Sequence, residues 1–300
     1  MEASETKQPA LYRDILKQAW RLVWKYAWLL ILGFFAALTA NGEQFDVLSK
    51  NVDTVVHLQG TLPLIDASSD VNALDQFWSF LRTLVIDGSF LSTDRFEAVL
   101  LFFAVMITPI VIAQAGIIAA AKRFVSSEEG KPTFGTSLAA GGRHFLPVLI
   151  LNVVLKVGIY VLLGLVTYPL FLRFLSGNGS QASIDLLAGV AFVILVPLHI
   201  IFSFLTKFAA IHVIAHGKTL RASIGSAWRT FSANWLIAIE MSFILILINI
   251  VAATIVVGTV TFAFQPTGQF TATLYWLSLF FVGAFLAVFQ YAAWTILLVR

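Results

Sequence analysis

The chain reads KFAAIHVIAHGKTLRASIGSAWRTFSANWLIAIE from Lys207 to Glu240. The first ten residues end an apolar run, Leu236 begins another, and a short basic segment lies between them. Leu220, Ile224, Ala227 and Phe231, at i, i+4, i+7 and i+11, give that segment the spacing of an amphipathic helix. Gly217 and Thr219 ahead of it are helix-stop and helix-start residues. This pattern decides the fold class: two membrane-spanning helices joined by an elbow lying in the membrane plane. Lys207 and Glu240 stand inside the apolar runs on either side, where an ionisable group is costly.

The whole chain has the same character. Of its 300 residues 59% are hydrophobic and 12% charged, with 27 phenylalanines. Soluble domains carry about a quarter charged residues, so most of this surface must meet lipid. There are no cysteines, which excludes disulfide frameworks, thiolate metal sites and cysteine nucleophiles. The net charge of +3 would suit a nucleic-acid partner only if clustered on a soluble face. The charges instead fall in short segments between apolar runs, so membrane lipids are the expected partners and nucleic acid is not.

Outward from the opening stretch, six spans are expected, at about 24–40, 96–124, 145–172, 184–215, 235–264 and 272–300, each near the 20 residues that cross a bilayer. Pro109 and Pro197 fall inside two of them and predict kinks. An amphipathic helix from Leu11 precedes the first span, with Tyr12, Ile15, Leu16, Ala19, Trp20 and Val23 on its apolar side. A cleaved signal peptide is the rival reading, but the basic part is long and amphipathic, and Trp20, Trp24 and Trp28 suit a permanent aromatic belt. Residues 41–95 form one long acidic connection, eight carboxylates against three bases, with two short surface helices expected in it. Asp94-Arg95-Phe96-Glu97 is a capping-box pattern opening the second span.

Lys and Arg set the orientation. Thirteen of them, from Lys7 through Lys122 and Lys218 to Arg300, fall on one side of the six spans, and four, Lys50, Arg82, Arg95 and Arg173, on the other. Both termini are therefore expected in the cytoplasm of a multi-pass inner-membrane protein.

The elbow is written more than once. GKTLRASIGSAWRTF at 217–231 aligns with GKPTFGTSLAAGGRHF at 130–145 when Pro132 is taken as an insertion. Thr219 then pairs with Thr133, Ser223 with Ser137, Ala227 with Gly141, Arg229 with Arg143 and Phe231 with Phe145. The same register reaches Tyr12, Leu16, Ala19, Arg21 and Val23 near the start of the chain. The apolar stripe of each copy is expected to lie on the membrane, and a Thr can cap the second and third. The inward-running helices end alike, in Gln114-Ala115-Gly116, Lys207-Phe208-Ala209-Ala210 and Gln290-Tyr291-Ala292-Ala293. Small residues there let helices approach closely. The expected architecture is thus all-α: a single membrane domain of three elbow-led hairpins, at 11–124, 130–215 and 217–300.

The segments WRLVWKYAWLLILGFFAAL (20–38) and HGKTLRASIGSAWRTFSANW (216–235) resemble uncharacterised bacterial six-helix membrane proteins. These are akin to the membrane domain fused to some glycerophosphodiester phosphodiesterases. The resemblance covers most of the transmembrane chain. It implies the six-helix architecture and a bacterial cytoplasmic membrane. The soluble phosphodiesterase domain has no counterpart here, so no catalytic residue carries over.

Chemistry is sought first at polar groups within the spans. Glu240 and Lys207 lie at similar depth from the cytoplasmic side, with Gln114, Gln290, Asn152 and Lys156 at comparable or greater depth. A polar layer with a Glu240–Lys207 ion pair is expected, either as a site for a small or lipid substrate or as a structural tie between helices. Arg21, Arg143 and Arg229 recur at matching positions, where they could grip lipid headgroups or simply obey the positive-inside bias. His212 and His216 share a helical face at metal-pair spacing, but no HExxH accompanies them and His216 also suits a helix C-terminus. No metal site is expected. His199, beside Pro197, is read as a hydrogen-bonded core residue. No nucleophile elbow, phosphate loop or dinucleotide fingerprint occurs, so neither enzymatic activity nor a cofactor is expected. The two function classes left are a transporter or lipid-handling protein and a structural or partner-binding one.

Overall fold

The computed structural model describes residues 11–40, 93–126, 130–176, 181–264 and 269–300, and among these every regular element is an α-helix. They are α1 (Leu11–Lys25), α2 (Leu29–Ala40), α3 (Thr93–Val125), α4 (Phe134–Arg143), α5 (Phe145–Ser176), α6 (Gln181–His216), α7 (Leu220–Ala233), α8 (Trp235–Phe264) and α9 (Gln269–Val299). Four helices are long and apolar enough to cross a membrane: within α3 at Ala104–Val125, within α6 at Val193–His216, within α8 at Trp235–Val256 and within α9 at Phe280–Val299. The number rises to six if each of two bent pairs counts as one span. The pairs are α1 with α2, bent by 112°, and α4 with α5, bent by 59°. The expected surface helices and most of the acidic connection lie outside the described residues.

The chain divides into two compact units, Leu38–Ile110 and the combination of Met1–Ala37 with Val111–Arg300. In the smaller unit the described residues are 38–40 and the first half of α3, where Thr108 Oγ1 donates back to the Ala104 carbonyl at 2.7 Å. Asp94 is already the second helical residue of α3, which begins at Thr93 rather than after an Asp94 cap.

The breaks explain the elbows. α1 runs through Lys25, so Trp24 belongs to it and not to the first span. Tyr26, Ala27 and Trp28 then turn the chain, with Leu29 N–H donating to the Tyr26 carbonyl at 2.9 Å. At the second break the His144 ring lies 3.0 Å from the Ala140 carbonyl. At the third, Asn234 Nδ2 donates to the Thr230 carbonyl at 3.2 Å. Each polar side chain adds a second contact to a carbonyl that already accepts the backbone N–H of the same residue, His144 to Ala140 and Asn234 to Thr230, both at 3.1 Å. Thr133 caps α4 in a reciprocal box with Thr136. Thr219, expected to do the same, makes no side-chain cap on α7. Both helix starts share the backbone bond to the threonine carbonyl, from Ser137 N–H to Thr133 at 3.0 Å and from Ser223 N–H to Thr219 at 2.8 Å.

In the larger unit each elbow helix rests on a long helix that precedes it, and the first rests on the last. α4 crosses α3 so closely that a Cβ on Gly141 would stand 2.4 Å from the Ile112 carbonyl oxygen. α7 packs on α6, with Phe231 stacked on Phe204 at 5.3 Å between ring centroids. α1 packs on α9, with Trp20 edge-on to Phe285 at 5.2 Å. α5 lies along α6 and α8 along α9, and α9 also meets α6. Two glycines permit further close approach: Gly33 of α2 against the Ala284 backbone of α9, and Gly116 of α3 against Leu32 and the Ser137 backbone. The apolar stripe of the elbows is therefore turned partly onto protein. Ala19, Gly141 and Ala227 are buried against these helices, while Phe134 and Leu138 remain exposed.

The core sits toward the C-terminal ends of α3, α6 and α9. Ala115, Ala209, Ala210, Ala292 and Ala293 are fully buried there, which agrees with small residues setting close helix approach in lipid. Phe204, Phe208, Phe231 and Trp294 fill the space beside them, with centroid separations between 5.3 and 5.8 Å.

Candidate functional site

Two side-chain hydrogen bonds join expected polar-layer residues to another helix, one at Gln114 and one at Glu240. Gln114 is buried near the end of α3, and its Oε1 accepts Asn152 Nδ2 of α5 at 3.1 Å. Asn152 Nδ2 also donates to the Val148 carbonyl at 3.0 Å, so the amide is tied both to its own helix and to the next. At 1.5 Å per residue, Asn152 lies about 10 Å along α5 and Gln114 about 16 Å from the end of α3. The structure thus joins two of the six expected layer residues. Gln290 is buried in α9, about 13 Å from that helix's end. Lys207 is half-buried in α6 at a similar depth. Lys156 falls one turn beyond Asn152 on α5.

Glu240 is set apart. It is exposed, about 8 Å into α8, and its Oε2 accepts a hydrogen bond from the Tyr12 hydroxyl of α1. This phenol lies 228 residues away in the chain. In the sequence Tyr12 is legible only as part of an apolar stripe. Its hydroxyl gives no local signal, because what it meets is decided by α1 folding onto the last helices of the chain. Hydrogen bonding to Glu240, then desolvation, then the carboxylate's charge push the Tyr12 pKa from 10.0 up to about 12. The phenol therefore stays protonated and acts as donor throughout the neutral range. Phe134, which holds Tyr12's place in α4, meets Trp28 edge-on at 5.8 Å between centroids. The first elbow is thus tied at its tip by a polar bond where the second uses aromatic contact.

A second polar group occupies the α6–α7 elbow. His212 is buried; its Nδ1 is 3.3 Å from Nδ1 of His216, and its Nε2 is 3.2 Å from Thr230 Oγ1 of α7. Lys218 Nζ donates to Ser226 Oγ at 2.8 Å. No group of three or more His, Cys, Asp or Glu residues suited to a metal ion occurs among the described residues. The pair instead joins the end of α6 to α7 through Thr230. His199, expected in the core, is exposed on α6.

Arg21, Arg143 and Arg229 are all exposed, each near the C-terminal end of its elbow helix, so a headgroup can reach every one. In the register expected from the sequence, buried positions of α1, α4 and α7 coincide. Ile15, Ser137 and Ser223 occupy one register position and are all buried; Ala19, Gly141 and Ala227 occupy the next inward one and are buried too. Ser137 Oγ is buried with no hydrogen-bond partner among the described residues.

No protein-family model, no curated protein and no solved structure significantly matches this chain.

Proposed function

We propose that this is a non-enzymatic, six-pass protein of the bacterial inner membrane with both termini in the cytoplasm. In this reading three elbow-led hairpins form a ring, and the intramembrane polar residues hold helices together. The observation that carries it is that the polar residues with described bonds join one helix to another. Gln114 accepts from Asn152 between α3 and α5, and Glu240 of α8 accepts from Tyr12 of α1. Groups spent on helix-to-helix bonds are what a structural or partner-binding membrane protein needs. The matched burial of Ile15, Ser137 and Ser223, and of Ala19, Gly141 and Ala227, supports the threefold repeat, because sequence similarity alone does not require equal burial. The placing of α4 on α3, α7 on α6 and α1 on α9 supports the ring.

A transport or lipid-handling role is the second reading, favoured by the similar depth of the half-buried Lys207 and the buried Gln290. The two readings separate in vesicles. The purified protein, reconstituted with fluorescent phospholipid, is tested for transbilayer lipid movement and for proton flux. The structural reading predicts both at the level of protein-free vesicles. Movement above that level which is lost in Lys207→Met would establish the second reading instead.

A further inference from the structure

The two sides of α1 differ completely in chemistry. At 100° per residue, Ile15, Ala19, Leu22 and Val23 share one face, and all four are buried. Arg13, Lys17, Trp20, Arg21, Trp24 and Lys25 share the opposite sector, about 140° wide, and all six are exposed. Trp20 and Trp24 are 50% and 62% exposed, too much for rings whose role is core packing. They lie 5.8 Å apart between centroids, and both contact Phe285 of α9. The outer face of α1 is thus an aromatic shelf, continuous with a spanning helix, set among four cationic side chains.

We propose that this face is a docking surface for anionic phospholipid. Three features argue for that occupant. The 112° bend between α1 and α2 lays α1 near the plane of a membrane that α2 enters, at headgroup depth. Indole rings favour that depth, where one end of the ring is apolar and the other wet. The charge is strongly biased: four bases face outward and exposed, while the one acid of the helix, Asp14, falls in the same sector between Arg21 and Lys25 and is half-buried, which leaves the face net positive. A lipid phosphate placed over Lys17 and Arg21, with its glycerol and upper acyl chain across Trp20 and Trp24, satisfies both kinds of group. Zwitterionic lipid supplies the same apolar contact but adds a cation to the cluster. The other elbows carry a thinner version, with Arg221, Trp228 and Arg229 exposed on α7 and Arg143 alone among the exposed bases of α4. The preference for anionic lipid is therefore concentrated at α1. This inference depends on the surface of α1 and not on whether the polar residues transport anything.

The test uses the full chain in nanodiscs of phosphatidylcholine containing a small fraction of brominated lipid, which quenches tryptophan on contact. Brominated phosphatidylglycerol is compared with brominated phosphatidylcholine. A basic residue at a membrane surface is worth about fivefold in preference for an anionic lipid, so excess quenching by phosphatidylglycerol on the order of fivefold is expected. It should shrink as salt shortens the Debye length, fall to parity in R13Q/K17Q/R21Q/K25Q, and lose most of its amplitude in W20F/W24F. The double variant K17Q/R21Q, with two bases retained, should lie between, and it serves where the quadruple variant does not fold. Equal quenching by the two lipids in the native protein overturns the proposal. So does a preference that persists at high salt or is undiminished in K17Q/R21Q.

Discussion

Gly141 and Gly142 are neighbours in α4, and replacing each by alanine should move stability in opposite directions. A Cβ on Gly142 meets nothing within 4 Å, whereas one on Gly141 would lie 2.4 Å from the Ile112 carbonyl oxygen and 2.9 Å from its Cγ2. Ordinary contact begins near 3.4 Å, so α4 must move off α3 by about 1 Å to admit the methyl group. Both substitutions gain the same helix-propensity term, about 1 kcal/mol in a helix interior and less near the end. Their difference therefore isolates the steric cost, for which overpacking of about 1–3 kcal/mol is the expected scale. Equilibrium unfolding in mixed micelles of a mild and a denaturing detergent, followed by far-UV circular dichroism, measures both. Gly142→Ala should be neutral or slightly more stable than the parent, and Gly141→Ala less stable than Gly142→Ala by about 1–3 kcal/mol. If Gly141→Ala proved as stable as Gly142→Ala, α4 would not cross α3 at this point. The copies of this position in α1 and α7 are Ala19 and Ala227, both buried. Those crossings admit a methyl group that the second excludes.

Three further outcomes follow from the polar contacts. Tyr12→Phe should loosen the tip of α1, seen as faster amide exchange over its first turn, while Glu240→Gln, which can still accept the phenol, should change it less. Because folding raises the Tyr12 pKa from 10.0 to about 12, the folded state binds that proton more tightly. The contribution of this bond is thus complete below pH 10 and disappears as pH rises through about 12. An unchanged alkaline transition in Tyr12→Phe would contradict it. Ser137→Ala should be neutral or stabilising, since the buried hydroxyl has no partner among the described residues and a lost hydrogen bond typically costs about 1 kcal/mol; a clear loss of stability in the unfolding assay would argue against the geometry. Gln114→Leu alone should cost about 1 kcal/mol by removing an acceptor from Asn152. Gln114→Leu/Asn152→Leu should recover part of that loss, and a double-mutant cycle in micelles reads the difference.

Much of the architecture is legible in local pattern. α8 begins and ends at Trp235 and Phe264, where apolar character starts and stops, and α7 is marked by the 220-224-227-231 spacing. Burial at 15, 137 and 223 follows the register in which the elbows align. What local pattern does not carry is anything decided by which helix meets which. The periodicity of α1 identifies its buried face but not α9 as the surface it covers. For the same reason the bond between Tyr12 and Glu240 leaves no local trace. Depth along a helix is a one-dimensional quantity, and a contact needs the rotation and neighbour of each helix as well. Gln114 and Asn152 show the partial success of such reasoning, since depth names both members but not their partnership. Thr133 and Thr219 show the limit of residue type, which makes a cap available at both helix starts although only Thr133 makes one.

The claim on which the rest depends is that the first elbow closes the bundle by lying on the last helix. The native chain contains no cysteine, so a pair can be introduced without background. Trp20→Cys/Phe285→Cys replaces two rings whose centroids are 5.2 Å apart, and Phe204→Cys/Phe231→Cys, from rings 5.3 Å apart, serves as the α6–α7 control. Mild oxidation in native membranes, followed by denaturing electrophoresis under non-reducing conditions, should give a fast-migrating intrachain product from both pairs. A product from the control but none from Trp20→Cys/Phe285→Cys would contradict closure of the ring by α1.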